Sequence, residues 1–263
     1  MSNHQSRFQF AQTLAKLGGK STLEYFQSDR FSVEKKSDRS PVTIADRNAE
    51  QIMRAEILAN FPDDGIVGEE FGEQEGTSGY RWILDPIDGT KSFICGVPLY
   101  GTMVGVEFES DCMIGAVYCP GIDEGIYAMT GAGAWHQRGD AEPVKAAVST
   151  CTELSESVMV TSEVLTFDEV DRTRLFKELE GRTYVTRTWG DCYGYLLVAT
   201  GQVELMIDPI LNIWDAAAVK PIVEEAGGKF VDWNGDAKID TGNSFGCCPG
   251  IYEQVLDLVQ NCK

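Results

Sequence analysis

Acids placed just after apolar runs are the part of this sequence best suited to chemistry. Arg81-Trp82-Ile83-Leu84 reads as a short buried strand. Asp85 follows at its carboxyl end, where side chains of layered α/β sheets face a crevice. Pro86 fixes its own φ and holds Asp85 extended, so Asp88 comes round to the same side on the turn. Two carboxylates on a stiff loop suit a hard divalent cation such as Mg²⁺, which commonly shares its shell with substrate phosphate oxygens. Gly89-Thr90 then opens a turn or helix whose N–H groups offer a seat to phosphate. The same letters also make an Asp-Gly turn punctuated by Pro, so D-x-x-D-G-T alone leaves both readings open.

Further acids sit in comparable places. Gly65-Ile66-Val67-Gly68 is an apolar strand that runs into Glu69-Glu70. Carboxylates gathered at neighbouring strand ends repel one another unless a cation is present. Asp46 and Asp215 have plainer readings. Asp46 is the acid of a Thr43-x-x-Asp46 capping box, and Asp215 complements the first turn of a helix opened by Trp214. Asp191 reads as the N-cap of an apolar helix over Cys192 to Thr200.

Composition narrows the classes of function. The 263 residues carry 22 Lys+Arg against 41 Asp+Glu, a formal charge of −19. Such a surface repels nucleic acid and anionic membranes, so neither is an expected partner. No apolar stretch is long enough to span a bilayer, and Met1 to Gln5 lacks a basic segment leading into an apolar run. The eight cysteines are scattered, without C-x-x-C pairs, as expected of reduced thiols in a cytoplasmic protein. Two histidines, His4 in the tail and His136 in an expected loop, cannot make a His-rich zinc site, so any metal is held by oxygen.

The elements that must position these acids follow from periodicity. A first helix is expected over Phe8 to Phe26, with Phe10, Leu14 and Leu17 buried. A polar loop or hairpin occupies Val33 to Ser40. Pro41 to Asp46 opens a second helix with Ile52, Ala55 and Ala59 on its inner face, stopped at Asn60-Phe61-Pro62. Tyr100 to Phe108, Cys112 to Tyr118 and Gly125 to Thr130 read as an antiparallel meander. Gly139 to Pro143 is an expected boundary between an N-terminal α+β half (1–143), carrying most of the acids, and a C-terminal α/β half (144–263). The second half alternates: strand Ser157 to Thr161, helix Phe167 to Leu179, strand Thr183 to Arg187, helix Asp191 to Thr200 and strand Val203 to Asp208. A helix from Trp214 to Ala226-Gly227-Gly228, strand Lys229 to Trp233 and helix Ile251 to Val259 close the chain.

Gly68-Glu69-Glu70, Trp82 to Thr90, and Trp214-Asp215 ahead of Glu225-Ala226-Gly227-Gly228 together resemble the inositol monophosphatase family of Mg²⁺-dependent, lithium-inhibited phosphomonoesterases. The resemblance covers nearly the whole chain. Lys91-Ser92-Phe93, Thr188-Trp189-Gly190-Asp191-Cys192-Tyr193 and Ile213-Trp214-Asp215 are most similar to its histidinol-phosphate phosphatase branch. The resemblance implies a layered α/β/α/β/α sandwich, an α/β (α+β) fold, assembled as a homodimer. It implies that Glu69, Asp85 and the carbonyl of Ile87 hold one Mg²⁺, and that Asp85, Asp88 and Asp215 hold a second. Thr90, paired with Asp46, would orient and activate the attacking water, with Glu69 assisting in catalysis. Gly89 and Thr90 would donate N–H groups to the phosphate, with Asp88 and Asp215 beside it, while Asp208 and Asp191 would contact the organic part of the substrate.

The implied reaction is hydrolysis of histidinol phosphate, a small phosphate monoester, to histidinol and phosphate in histidine biosynthesis, by metal-activated water. A phosphomonoester dianion resists attack, so clustered cations must neutralise its oxygens. The D-x-x-D-G-T spacing is unlike the nucleophile-acid pair of other aspartate-based phosphatases, and no G-x-S-x-G or P-loop pattern competes. The alternatives are an inositol monophosphatase or broad sugar- or nucleotide-phosphate phosphatase and, more remotely, a catalytically silent metal-binding protein.

Overall fold

Helix α1 (Asn3–Thr22) turns small residues toward the molecule: Ala11, Ala15, Gly18 and Gly19 are buried beside Phe8 and Leu14. A Cβ on Gly18 would lie 2.6 Å from Met53 Sδ, and one on Gly19 2.7 Å from the Tyr118 ring, so both glycines permit close packing. Leu17, expected to be buried, is 41% exposed. It lies roughly two-fifths of a turn from the centre of the small-residue face. The computed structural model describes residues 3–28, 33–35 and 41–262.

Strand β1 (Val33–Lys35), in the segment expected as a loop or hairpin, pairs antiparallel with β2 (Pro41–Thr43), expected instead to open the second helix; residues 36–40 of that segment lie outside the described residues. Helix α2 (Ile44–Asn60) starts after Pro41–Thr43 and buries Ala45, Ala49, Met53 and Ile57. These form one i, i+4 row, whereas Ala55 and Ala59 of the expected face are exposed.

An eight-stranded sheet follows: β3 (Gly65–Gly68), β4 (Gly72–Gln74), β5 (Tyr80–Asp88), then β6 (Gly101–Phe108), β7 (Asp111–Cys119), β8 (Glu124–Met129), β9 (Gly133–Arg138) and β10 (Val144–Lys145). The short helix α3 (Thr90–Ile94) interrupts the chain between β5 and β6. The order is β10-β9-β8-β7-β6-β5-β3-β4, antiparallel except for β3 with β5. The meander gains β9 and β10 over the sequence reading. His136 lies in β9, not in a loop, with Nε2 2.6 Å from Glu124 Oε1.

The second sheet has the order β12-β11-β13-β15-β14. Its strands are β11 (Val158–Val160), β12 (Val185–Arg187), β13 (Leu205–Asp208), β14 (Lys229–Val231) and β15 (Ser244–Cys247). The helix expected over Phe167 to Leu179 is two, α4 (Leu165–Glu169) and α5 (Thr173–Arg182), broken where Asp171 adopts φ 58°. Helix α6 (Asp191–Ala199) precedes β13. The helix expected from Trp214 is also two, α7 (Ile213–Ala217) and α8 (Val219–Glu225), because Pro221 has no N–H for the carbonyl of Ala217. Helix α9 (Tyr252–Asn261) closes the chain.

These elements stack in five layers. Helices α1 and α2 cover one face of the first sheet through Leu14, Met53, Trp82 and Val104. Between the sheets, Tyr195, Leu196 and Ile222 of α6 and α8 meet Met103 and Val117 on one side and Met206 and Phe230 on the other. Outside the second sheet, Phe167, Leu175 and Val255 pack on Met159 and Leu205. The fold is therefore an α/β/α/β/α sandwich. Gly105 and Gly115 bring α7 and α8 onto the first sheet, since a Cβ on Gly115 would lie 1.9 Å from the carbonyl of Ala218.

Candidate active site

Strand β5 pairs regularly with β6 as far as Asp85 opposite Met103, loses register, and rejoins at Asp88 opposite Gly101. The bulge follows from Pro86, which has no N–H for the ladder and whose carbonyl instead accepts the Thr102 hydroxyl at 2.7 Å. It turns Asp85 and Asp88 toward Asp215 in the first turn of α7. Carboxylate oxygens of the three lie within 4.8 Å of one another. Register brings Glu69 alongside Asp85 without making it one of that group of three: Gly68 stands opposite Leu84 in the parallel pair β3/β5, and the Glu69 N–H donates to the Leu84 carbonyl at 3.2 Å.

The cluster is electrostatically costly by itself. Asp85 is buried, and its Oδ1 has no hydrogen-bond partner. Burial pushes the Asp85 carboxyl well above the usual range, and the charges of Glu69, Asp88, Asp215 and Asp46 push it further. Asp88 is likewise raised, by burial and then by Asp191 and Asp215, although its carboxylate accepts the Cys192 N–H. An all-oxygen donor set with an orphaned buried oxygen and unrelieved repulsion fits a hard divalent cation.

The remaining expected residues divide between two neighbourhoods. Asp46 does form the capping box of α2: its Oδ2 accepts the Thr43 N–H at 2.8 Å and the Thr43 hydroxyl at 2.6 Å. Its Oδ1 is buried without a partner, and burial raises its pKa to about 6. Thr90, expected to pair with Asp46, instead donates its hydroxyl to the Ile87 carbonyl at 3.1 Å. Ile87 buries its side chain with Ala45, Phe93 and Tyr100, leaving its backbone on the turn. Asp215 also closes a capping box, accepting the Asn212 N–H at 2.7 Å.

Asp191 and Asp208 are joined through Ser162. The Asp191 N–H donates to Ser162 Oγ at 2.8 Å, and Ser162 donates both its N–H and its hydroxyl to Asp208 at 3.0 Å. Thr161 adds a third donor at 3.2 Å. Burial lifts Asp191 to about 6 and Asp208 to about 7, with those hydrogen bonds opposing the shift. Asp191 is the first residue of α6 at φ 54°, and Gly190 takes the N-cap position expected for it. Gly89, at φ 85°, passes so close that a Cβ there would lie 2.8 Å from Asp191 Oδ2.

A cavity of about 290 Å³ opens over the cluster, lined by Glu69, Thr90, Ser162, Asp191, Asp208 and Asp215 among others. At its lip Lys91 pairs with Glu163. Ser162 and Glu163 escaped the sequence reading. The available signal was their position directly after β11, whose parallel pairing with β13 sends both strand ends to the same rim.

The sequence profile of the inositol monophosphatase family matches residues 3–262. The chain belongs to the inositol monophosphatase family. Members of this family are metal-dependent phosphoric monoester hydrolases, which agrees with the acid cluster. Within the family the chain is 45% identical to the histidinol-phosphatase of Chlorobaculum parvum over 234 residues, 89% of this chain and 88% of that protein. It is 32% identical to the histidinol-phosphatase of Streptomyces coelicolor over 260 residues, 97% of each. The solved inositol monophosphatase of Zymomonas mobilis superposes with a TM-score of 0.85 at 27% identity, covering 99% of this chain and all of that one.

Proposed function

We propose that the protein hydrolyses histidinol phosphate to histidinol and phosphate with Mg²⁺ as its metal. The observation that carries this reading is the pair Asp191 and Asp208 on the wall of the cavity that opens over the acid cluster. Histidinol phosphate differs from polyol phosphates by an ammonium group and a protonatable imidazole, and carboxylates beside the leaving group favour cations. The 45% identity to a protein named histidinol-phosphatase supports the same substrate.

In this reading Glu69, Asp85 and the Ile87 carbonyl hold one cation, and Asp85, Asp88 and Asp215 a second. Bound Mg²⁺ would neutralise phosphate oxygens, acidify water and stabilise the leaving alkoxide. The residues of the chain place the reactants. Thr90 donates its hydroxyl to Ile87 and keeps lone pairs to orient the attacking water. Asp46 keeps an unpartnered oxygen and a pKa that burial raises to about 6, as a base acting on that water would. The N–H groups of Gly89 and Thr90 receive the phosphate, while Asp191 and Asp208 meet the amino-alcohol. The protein works as a cytoplasmic homodimer, a state that sedimentation would check.

Phosphate release from histidinol phosphate, measured with excess chelator and after Mg²⁺ is restored, tests the reading. Activity should vanish and return. Full turnover in chelator would contradict the cation assignment.

A further inference from the structure

Glu50 is a charged side chain with no solvent exposure, lying in the middle of α2 and outside the acid cluster. A carboxylate removed from water needs both a counter-charge and hydrogen-bond donors. Glu50 finds the charge on its own helix, where Arg54 Nε donates to Oε1 at 2.7 Å. It finds its other donors in the turn after β3: the Glu70 N–H meets Oε2 at 2.7 Å and the Phe71 N–H meets Oε1 at 3.2 Å. Arg54 continues to the Gly72 carbonyl. Helix α2 thus grips three consecutive residues immediately after Glu69.

Gly68 completes the fit. A Cβ there would lie 1.9 Å from Glu50 Oε1, so the carboxylate rests on the backbone of the residue before Glu69. The sheet itself offers this turn little support. Beyond it, β4 is an edge strand of three exposed residues paired only with β3. The charge of Glu69 meanwhile acts on Asp85, and the two carboxylates repel when no cation lies between them.

We propose that Glu50 is a positioning residue of the cation site: with Arg54 it clamps the 69–72 turn and so aims Glu69 at Asp85 before a metal arrives. The inference rests on the cation reading of the acid cluster. A residue that orients a ligand changes metal affinity by about 10- to 100-fold when it is altered. One that merely holds the fold changes thermal stability and leaves affinity alone.

Glu50→Gln keeps the volume and one acceptor but removes the charge that Arg54 faces. Gly68→Ala keeps the charge and displaces it, and serves if the first variant does not fold. Calorimetric titration with Mg²⁺ should show affinity lowered about tenfold or more in either variant. At saturating Mg²⁺, kcat should stay within about threefold of the unmodified enzyme. Hydrogen exchange in chelator should show faster loss of the Glu70 and Phe71 amide protons. Folded variants that bind Mg²⁺ as tightly as the unmodified protein would overturn the clamp while leaving the cation reading intact. Failure of both variants to fold, even with Mg²⁺, would make the pair a folding element and also overturn it. An unmodified protein that binds no Mg²⁺ would instead defeat the cation reading and this inference with it.

Discussion

The two rims of the cavity use carboxylates in opposite ways. On the first-sheet rim, Asp85 and Asp46 each leave a buried oxygen without a hydrogen-bond partner, and Asp85 takes its largest repulsion from Glu69. On the second-sheet rim, Asp208 is fully buried yet receives three donors from Thr161 and Ser162. The first rim invites a cation, whereas on the second Asp208 already has its donors. Acids left unsatisfied are suited to metal and, through it, to phosphate, and acids held by neutral donors keep their shape for the organic part of a substrate.

The largest expected effect comes from the unsatisfied rim. Asp88→Asn should lower kcat by at least about a hundredfold, since a lost ligand forfeits several kcal/mol of transition-state charge stabilisation. Thermal melting in chelator should show no loss of stability in that variant, because the substitution also removes a repelling charge. Melting well below the unmodified protein would mean that Asp88 serves the fold.

Thr90→Ala comes next, with kcat down about 10- to 100-fold and KM nearly unchanged, as for a group that orients water in the transition state. A change confined to KM would make Thr90 a binding residue. On the satisfied rim, Asp191→Asn should lower kcat/KM for histidinol phosphate about 10- to 100-fold, the worth of a charge-assisted hydrogen bond, and spare an uncharged-alcohol phosphate. Steady-state kinetics on the two esters side by side would reveal an equal loss, which would remove Asp191 from substrate recognition.

The smallest effect is on stability. Asp46, Asp191 and Asp208 titrate at about 6, 6 and 7 in the fold, above the ordinary 3.8. The folded state then binds more protons than the unfolded chain between these limits, so metal-free stability is greatest below about pH 4 from these groups and is lost as pH rises through 6 to 7. Melting of the chelated protein from pH 4 to pH 8 should show this decline, and Mg²⁺ should flatten it. A metal-free protein that grows more stable over that range would contradict the sign.

The same contrast explains what was legible in the sequence. Asp85 and Glu69 follow apolar runs, so strand ends and a crevice could be inferred from periodicity alone. Ser162 and Glu163 are ordinary polar residues until the parallel pairing of β11 with β13 brings their rim to the acids. Glu50 was hidden more deeply. Helical periodicity treats a glutamate as solvent-facing, and it is Arg54 one turn on, together with the backbone N–H groups of a turn twenty residues away, that makes its burial tolerable. The inner face of α2 runs through Ala45, Ala49, Met53 and Ile57 rather than Ala55 and Ala59, which are exposed. Breaks at Ala218 and Asp171 split two expected helices, since apolar spacing continues through a local change of backbone.

If the acidic wall selects a cationic alcohol for the cation-dependent site, competition between two esters should show it. Equal concentrations of histidinol phosphate and inositol 1-phosphate, incubated together with the Mg²⁺-loaded enzyme and followed by phosphorus NMR, read the ratio of the two kcat/KM values directly. Histidinol phosphate should disappear first, by at least about a hundredfold in rate if two charge-assisted contacts distinguish the esters. Faster loss of inositol 1-phosphate, or equal loss of both, would contradict the account.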